Sequence, residues 1–369
     1  MVPRKPLDLS QLKMSPLASR HSLTRADDIL IDPDTPPQPL DELACGQVRE
    51  LAGHIRAARE QGRSIMLIYG AHLLRNGAAR LVDRLLADGW LNHLATNGAG
   101  SIHDWEYAWL GASTESVADG IAHGCFGTWN ETGRFLHLAL LVGGITGEGY
   151  GQSLGRFLHE DGVTLPHAEG LKQALRDDPE HPLSGARADL LRAMNQHGLT
   201  AGRHQVEHRW KHASIIAQAY ARGVPVTVHP GIGYDIIATH PMFTGAAIGR
   251  AAEIDFKLFA AAVEGLDDGV VLNVGSAIMG PQVFEKSLSC VNNLRLQAGR
   301  PVVSGHQIVV VDLQDGGQWD WRQGEPPKTN PAYYLRFCKS FSRMGGAMHY
   351  VQADNVTLLH HLYGELKSC

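Results

Sequence analysis

The chain lacks any C-x-x-C pair, and its five cysteines (Cys45, Cys125, Cys290, Cys338 and Cys369) are scattered and odd in number. That argues against a disulfide framework and for a reducing compartment. A basic excess is also missing: 33 Lys and Arg stand against 38 Asp and Glu, a net charge of −5. Nucleic-acid binders carry a basic face, so a polyanion is not the expected partner, whereas a cationic ligand is compatible. The longest apolar stretch, Phe135 to Ile145, is too short to cross a bilayer and contains His137. The opening MVPRKPLDLSQLK has positive charge but no apolar core, so no secretory signal is expected. A cytoplasmic protein with neither nucleic acid nor membrane as partner is the expectation. No repeat period is present.

What is present is an alternation of strand-like and helix-like segments. Residues 1 to about 40 are rich in Pro and charge and read as an arm or strap without a core of its own. A helix starts near Asp41 and runs through ELACGQVRELAGHIRAAREQG, with apolar positions at helical spacing and Gly62 as its stop. SIMLIYG (64–70) reads as a buried parallel strand, AARLVDRLLADG (78–89) as an amphipathic helix and LNHLATNGAG (91–100) as a second strand entering a Gly-rich turn. The pattern recurs in the helix ASIIAQAYARG, strand VPVTVHPGIG, helix AEIDFKLFAAAVEG and strand GVVLNVGSA, with a fifth strand at QIVVVDL and a closing helix at NVTLLHHLYGELK. The stretch 159–209 is polar and reads as a helical insertion. The expected fold is a single α/β domain over 41–369, a Rossmann-like parallel sheet with helices on both faces.

In such sheets ligands bind at the carboxyl ends of strands. Three of those ends carry small or polar residues: Tyr69-Gly70-Ala71-His72, Thr96-Asn97-Gly98-Ala99-Gly100-Ser101 and Asn273-Val274-Gly275-Ser276-Ala277. Glycine lets backbone approach a pyrophosphate, and helix N-termini favour anions. Any one of these turns is equally well a plain βα turn, but three point to a dinucleotide. None is a G-x-G-x-x-G fingerprint, and no Walker lysine follows.

The order of these segments resembles the deoxyhypusine synthase family over roughly residues 46 to 366. MLIYGAHLLRNGAARLVDRLLADGWLNHLATNGAGSIHD is similar to that family's first NAD-contacting βαβ unit. The resemblance implies NAD as cofactor, held by Gly70, His72, Arg75, Thr96, Asn97, Gly98, Ala99, Gly100, Ser101, Gly275 and Ser276. LQDGG and VQADN place Asp315 and Asp354 on cofactor-binding acids, and ARGVPVTVHPGIGYDI places Asp235 on a family aspartate. The resemblance also implies a homotetramer acting on a primary amine or basic amino acid. The chemistry would be transient oxidation to an imine, followed by transfer or deamination. NGAGSIHDWE followed by LGAST is similar to the archaeal ornithine-cyclodeaminase-like branch of the same superfamily. The family's G-G-G-V-x-K-H-H strand reads Val274 to Pro281 here without its histidine, and several polyamine-gripping acids are unmatched. Both departures argue against spermidine and a translation-factor lysine as substrates. The alternatives are a plain dehydrogenase and a non-catalytic or zinc-dependent ligand-binding homologue.

Catalytic candidates each have a plainer reading. His103, Asp104 and Glu106 follow the Gly-rich turn; they suit acid–base work and cation binding, or merely complement a helix dipole. Asp235 suits an ammonium or a helix cap. Lys339, in the aromatic-x-Lys setting of YYLRFCKSFSRMGG, suits a Schiff base if desolvated, or a solvated surface; Lys328 is a weaker candidate. Glu131 and Trp129 suit an amine, or a structural loop. His204, His208 and His212, four residues apart, read as one helix face able to hold zinc, although H-Q-V-E-H is no metalloprotease motif. Solvated histidines are commoner, so no metal is expected.

Overall fold

The structure, a computed structural model, describes residues 5–368. Six strands form its main sheet: β1 (Ile65–Tyr69), β2 (His93–Asn97), β3 (Val226–His229), β4 (Val270–Val274), β5 (Gln307–Asp312) and β6 (Ala347–Gln352). Every neighbouring pair is parallel, in the order β6-β5-β4-β1-β2-β3. From the other edge this is 3-2-1-4-5-6, the doubly wound arrangement. The direction of succession reverses between β1 and β4, and such a reversal opens a crevice at the carboxyl ends.

The strands are nearly continuous apolar runs because helices cover both faces. Alternate residues feed two cores. Ile65, Leu67, Tyr69, Val270, Leu272 and Val274 face the helices Glu42–Glu60, Ala79–Ala87 and Asn355–Lys367. Met66, Ile68, Val271 and Val310 face Phe259 of helix Gly245–Glu264 and Phe284 of helix Met279–Gln297. Truncating either phenylalanine to alanine is expected to cost about 3–5 kcal/mol.

β6 lies beyond the five strands expected. Only Met348, Val351 and the flanking Ala353 of AMHYVQA are fully buried, because an edge strand needs no two-sided apolar run. The insertion also differs from expectation. A hairpin of Gly162–Leu165 and Gly202–Gln205 forms its base, bracketing helices Ala168–Asp177 and Ser184–His197. His204, His208 and His212 therefore share no helix face: one is in the strand, one in a loop and one in the 3-10 turn Lys211–Ala213. The His208 ring is buried against Trp105, whose indole N–H donates to it at 3.1 Å.

The arm packs against elements that flank the sheet. Arg20 reaches a buried carboxylate, Thr24–Arg25 pairs antiparallel with Ala112–Ser113, and the Pro33 and Gln38 carbonyls accept from His360 and His361 at 3.3 and 2.9 Å. Among the described residues no helix is long and apolar enough to cross a membrane.

Candidate functional site

Because all six strands run the same way, their carboxyl ends share one edge. Gly70, Thr96–Ser101, Gly275–Ser276, Asp315 and Asp354 follow those ends and lie along it. At the β1/β4 reversal the backbones touch. A Cβ on Gly70 would sit 2.2 Å from the Gly275 carbonyl oxygen, and Gly275 itself has φ +63°. Only glycine fits both positions. Ser276 Oγ accepts the Gly280 N–H at 3.0 Å and so caps the helix that leaves β4. The amide oxygens of Asn273 and Asn355, on either side of Gly275–Ser276, are buried with no partner. Buried polar atoms are normally paired, so two orphans flanking one crevice mark a place where a ligand can donate.

The second Gly-rich segment differs from an open turn. Gly98–Ser101 is the first turn of helix Gly98–Leu110, which Asn97 caps by accepting the Gly100 N–H at 2.8 Å. A Cβ on Gly98 would meet the Asp235 carboxylate at 1.8 Å, and one on Gly100 would meet the Thr96 hydroxyl at 2.0 Å. The Thr96 hydroxyl donates to the Tyr69 carbonyl at 3.0 Å, and Ser101 donates to the Gly98 carbonyl at 2.8 Å. Ala99 is half-buried between them. Asp235 thus holds the anion position at this N-terminus while also accepting the Gly231 N–H at 2.7 Å. A pyrophosphate at Thr96–Ser101, as the sequence suggested, would face that carboxylate. Burial pushes the Asp235 carboxyl up to about 6.

His103 belongs to a defined relay. Its Nδ1 lies 2.7 Å from Ser113 Oγ, which lies 2.6 Å from a Glu106 oxygen. A carboxylate only accepts, so the serine donates to Glu106 and accepts from His103 Nδ1–H. Nε2 is left with the lone pair. Burial lowers the His103 pKa; Glu106 opposes this, while Arg75, Arg20 and His72 act with burial. His103, His72 and Arg75 are therefore brought together. His72 is exposed, and the Arg75 Nε is buried without a partner. Arg75 also lines a cavity of about 400 Å³ with Asp354, Thr357, His360 and the arm's Ile29 and Ile31.

Four expected catalytic residues are occupied elsewhere. Asp104 is wholly buried and caps helix Ile215–Ala221, accepting from the Ser214 hydroxyl and, at 2.8 and 3.3 Å, from the Ile215 and Ile216 N–H groups. Burial pushes its carboxyl up to about 7. Glu106 receives both Arg20 nitrogens at 2.8 and 2.9 Å, as well as the Thr132 hydroxyl at 2.8 Å. Glu131 accepts the Leu17 N–H of the arm at 2.6 Å. Neighbouring Trp129 donates to Glu115 at 2.7 Å, and the cation over its ring is Arg20, at 5.7 Å. Lys339, on the short helix Arg336–Phe341, pairs with Glu325 at 2.7 Å and lies 3.4 Å from the Tyr333 ring centroid. The Glu325 partner raises its pKa, opposite to what an imine-forming lysine needs. Lys328 is exposed.

Two expected cofactor acids are also partly committed. Asp354 caps the last helix by accepting the Val356 and Thr357 N–H groups at 3.1 and 2.9 Å. Exposed Asp315 accepts the Gly317 N–H at 2.8 Å. Sequence reasoning missed Arg20, Ser113 and Asn355, and named Asn273 only as part of a polar strand end. The one local signal was the polar Asn273 inside the apolar run VVLNV.

No family model matches the chain, and no curated protein matches it. Among solved structures it is similar to ArgZ, an arginine dihydrolase from cyanobacteria, at 15% identity over 89% of this chain and 33% of that one, with a TM-score of 0.41. AgrE, solved with ornithine and NAD+, matches at 14% identity over 89% of this chain and 34% of that one, with a TM-score of 0.41. A conserved protein described as LOR/SDH from Methanococcus maripaludis S2 matches at 12% identity over 96% and 75%, with a TM-score of 0.43. The chain spans about a third of the length of the first two. Likenesses this faint decide nothing about chemistry.

Proposed function

We propose that the chain binds NAD in the crevice between β1 and β4 and acts on a primary amine or basic amino acid, as a deoxyhypusine-synthase-like enzyme. The carrying observation is the strand reversal at that crevice, where Gly70 and Gly275 strip the backbone of side chains. The residues fit the group. The orphaned Asn273 and Asn355 oxygens can accept from ribose hydroxyls or a carboxamide. With Asp235 at the N-terminus of helix Gly98–Leu110, the phosphates belong at the N-terminus of helix Met279–Gln297.

When bound, the nicotinamide supplies reversible oxidation of the amine-bearing carbon. The protein supplies binding and proton transfer. Asp235 holds the ammonium, and His103 Nε2, its tautomer set by Ser113 and Glu106, takes the proton. Glu106 acts only through Ser113, and Asp104, Glu131 and Lys339 have no part in this scheme.

Calorimetric titration of NAD into nucleotide-stripped protein tests the reading. Saturation at about one NAD per chain is expected, as cofactor sites are few per protein. Absence of binding by the folded protein would overturn it.

A further inference from the structure

Away from that crevice, at the β6 edge, Glu50 and His54 lie four residues apart on helix Glu42–Glu60 and so share a face. β6 runs against this helix, with the Gln47 amide donating to the Tyr350 carbonyl at 2.9 Å. That contact places His349 beside the pair. One ligand-capable atom from each of Glu50, His54 and His349 lies within 4.8 Å of the others, the only such group among the described residues.

Two details suit a cation bound at their centre. His54 Nε2 is buried with no hydrogen-bond partner; its nearest carboxylate oxygen, on Glu50, is 3.8 Å away, beyond hydrogen-bond reach. His349 Nε2 lies 3.0 Å from the Gln307 amide oxygen. That oxygen only accepts, so Nε2 carries the proton and Nδ1 keeps the lone pair. A metal-bound histidine is oriented in the same way, its second nitrogen donating to an oxygen outside the ligand set. The two imidazoles are tilted at 49° with centroids 6.1 Å apart, so they do not stack on each other.

We propose that Glu50, His54 and His349 bind one divalent transition-metal ion, zinc being the best match. Two imidazoles and one carboxylate suit zinc, whereas magnesium and calcium select oxygen ligands. Tetrahedral bonds of about 2.1 Å place ligands roughly 3.4 Å from one another, so binding would draw the three side chains together, with exposed Glu50 free to rotate. Glu50 and His349 also line an open cavity of about 810 Å³ with Asp41, Asp315, Asp320 and Arg322. The cation in that cavity, Arg322, is engaged by Asp320 at 2.8 Å. With Glu50 and His349 facing that cavity, a set of three protein ligands leaves a coordination position open for water or a small anion. β4 and β5 lie between β1 and β6, so the site is independent of the proposed NAD crevice.

The test is calorimetric titration of zinc alone into chelator-stripped full-length protein. One ion per chain is expected to bind. His349→Ala and Glu50→Gln should each weaken binding by more than about tenfold, since losing even an outer-shell partner costs about 10–100-fold. His123→Ala, an exposed histidine elsewhere, should bind as wild type does. Far-UV circular dichroism establishes that each variant is folded, and exposed Glu50 can be changed without disturbing the core. Absence of saturable binding, or equal binding by the Glu50→Gln variant, would overturn the proposal.

Discussion

Asp104 shows how burial decides a residue's role. In sequence it stands in a His-Asp-x-Glu cluster suited to catalysis. In space it is fully enclosed and its oxygens serve a helix N-terminus. Asp104→Ala would leave the buried Ile215 and Ile216 N–H groups without their acceptor, so a loss of about 2–3 kcal/mol is expected in urea unfolding. NAD affinity should be unchanged. The Asp104 carboxyl is raised from 3.8 to about 7, so its proton is held more tightly in the folded state. That contribution to stability is complete below pH 3.8 and is lost as pH rises towards 7. Relative to wild type, Asp104→Asn should therefore gain stability from pH 4 to pH 7 and level off above. A pH-independent difference in unfolding free energy would show that the carboxyl is not perturbed. Five buried histidines (His93, His137, His208, His229 and His240), pushed down to about 3 or 4, act in the opposite sense. Their contribution is present above pH 6.5 and fades as pH falls, which is why variant and wild type must be compared at each pH. Asp235, at about 6, governs the proposed site. Amine binding should strengthen from pH 5 to pH 7 as its carboxylate forms, and Asp235→Asn should flatten that dependence in a binding titration.

At the scale of elements, the arm is joined to helix Gly98–Leu110 by a buried charge pair. Arg20 and Glu106 are both almost fully enclosed, so removing one strands the other. Arg20→Ala is expected to cost about 3–5 kcal/mol, read as a lowered urea midpoint. The paired change Arg20→Met with Glu106→Gln should cost less than Arg20→Ala alone, because no charge is left unpaired. Local patterns made most helices legible, since the start at Asp41 and the apolar spacing in 78–89 act within a few residues. They did not reveal β6, whose half-polar face suits a sheet edge. They also misread Gly98–Ser101 as an open loop, because only the approach of Asp235, more than a hundred residues later, shows what those glycines accommodate.

At the scale of the whole molecule, the strand order places the proposed crevice. Gly70→Ala tests that placement, because the added carbon would meet the Gly275 backbone, which cannot rotate away. The variant should be destabilised and should lose the NAD-induced rise in thermal midpoint, whereas Gly62→Ala, at a helix end with nothing near it, should keep that rise. The sequence by itself determined the α/β class, the parallel character of the sheet and the Gly-rich strand ends, because strand burial and turn geometry are short-range constraints written in apolar runs and glycines. Only the tertiary structure decided which polar residues are free to act. Asp104, Glu106 and Glu131 are consumed by partners distant in the chain, Asn273 and Asn355 are left without any, and Glu50, His54 and His349 meet across a helix and an edge strand. Whether a charge or donor is satisfied depends on neighbours that folding brings from afar, and no local pattern records them.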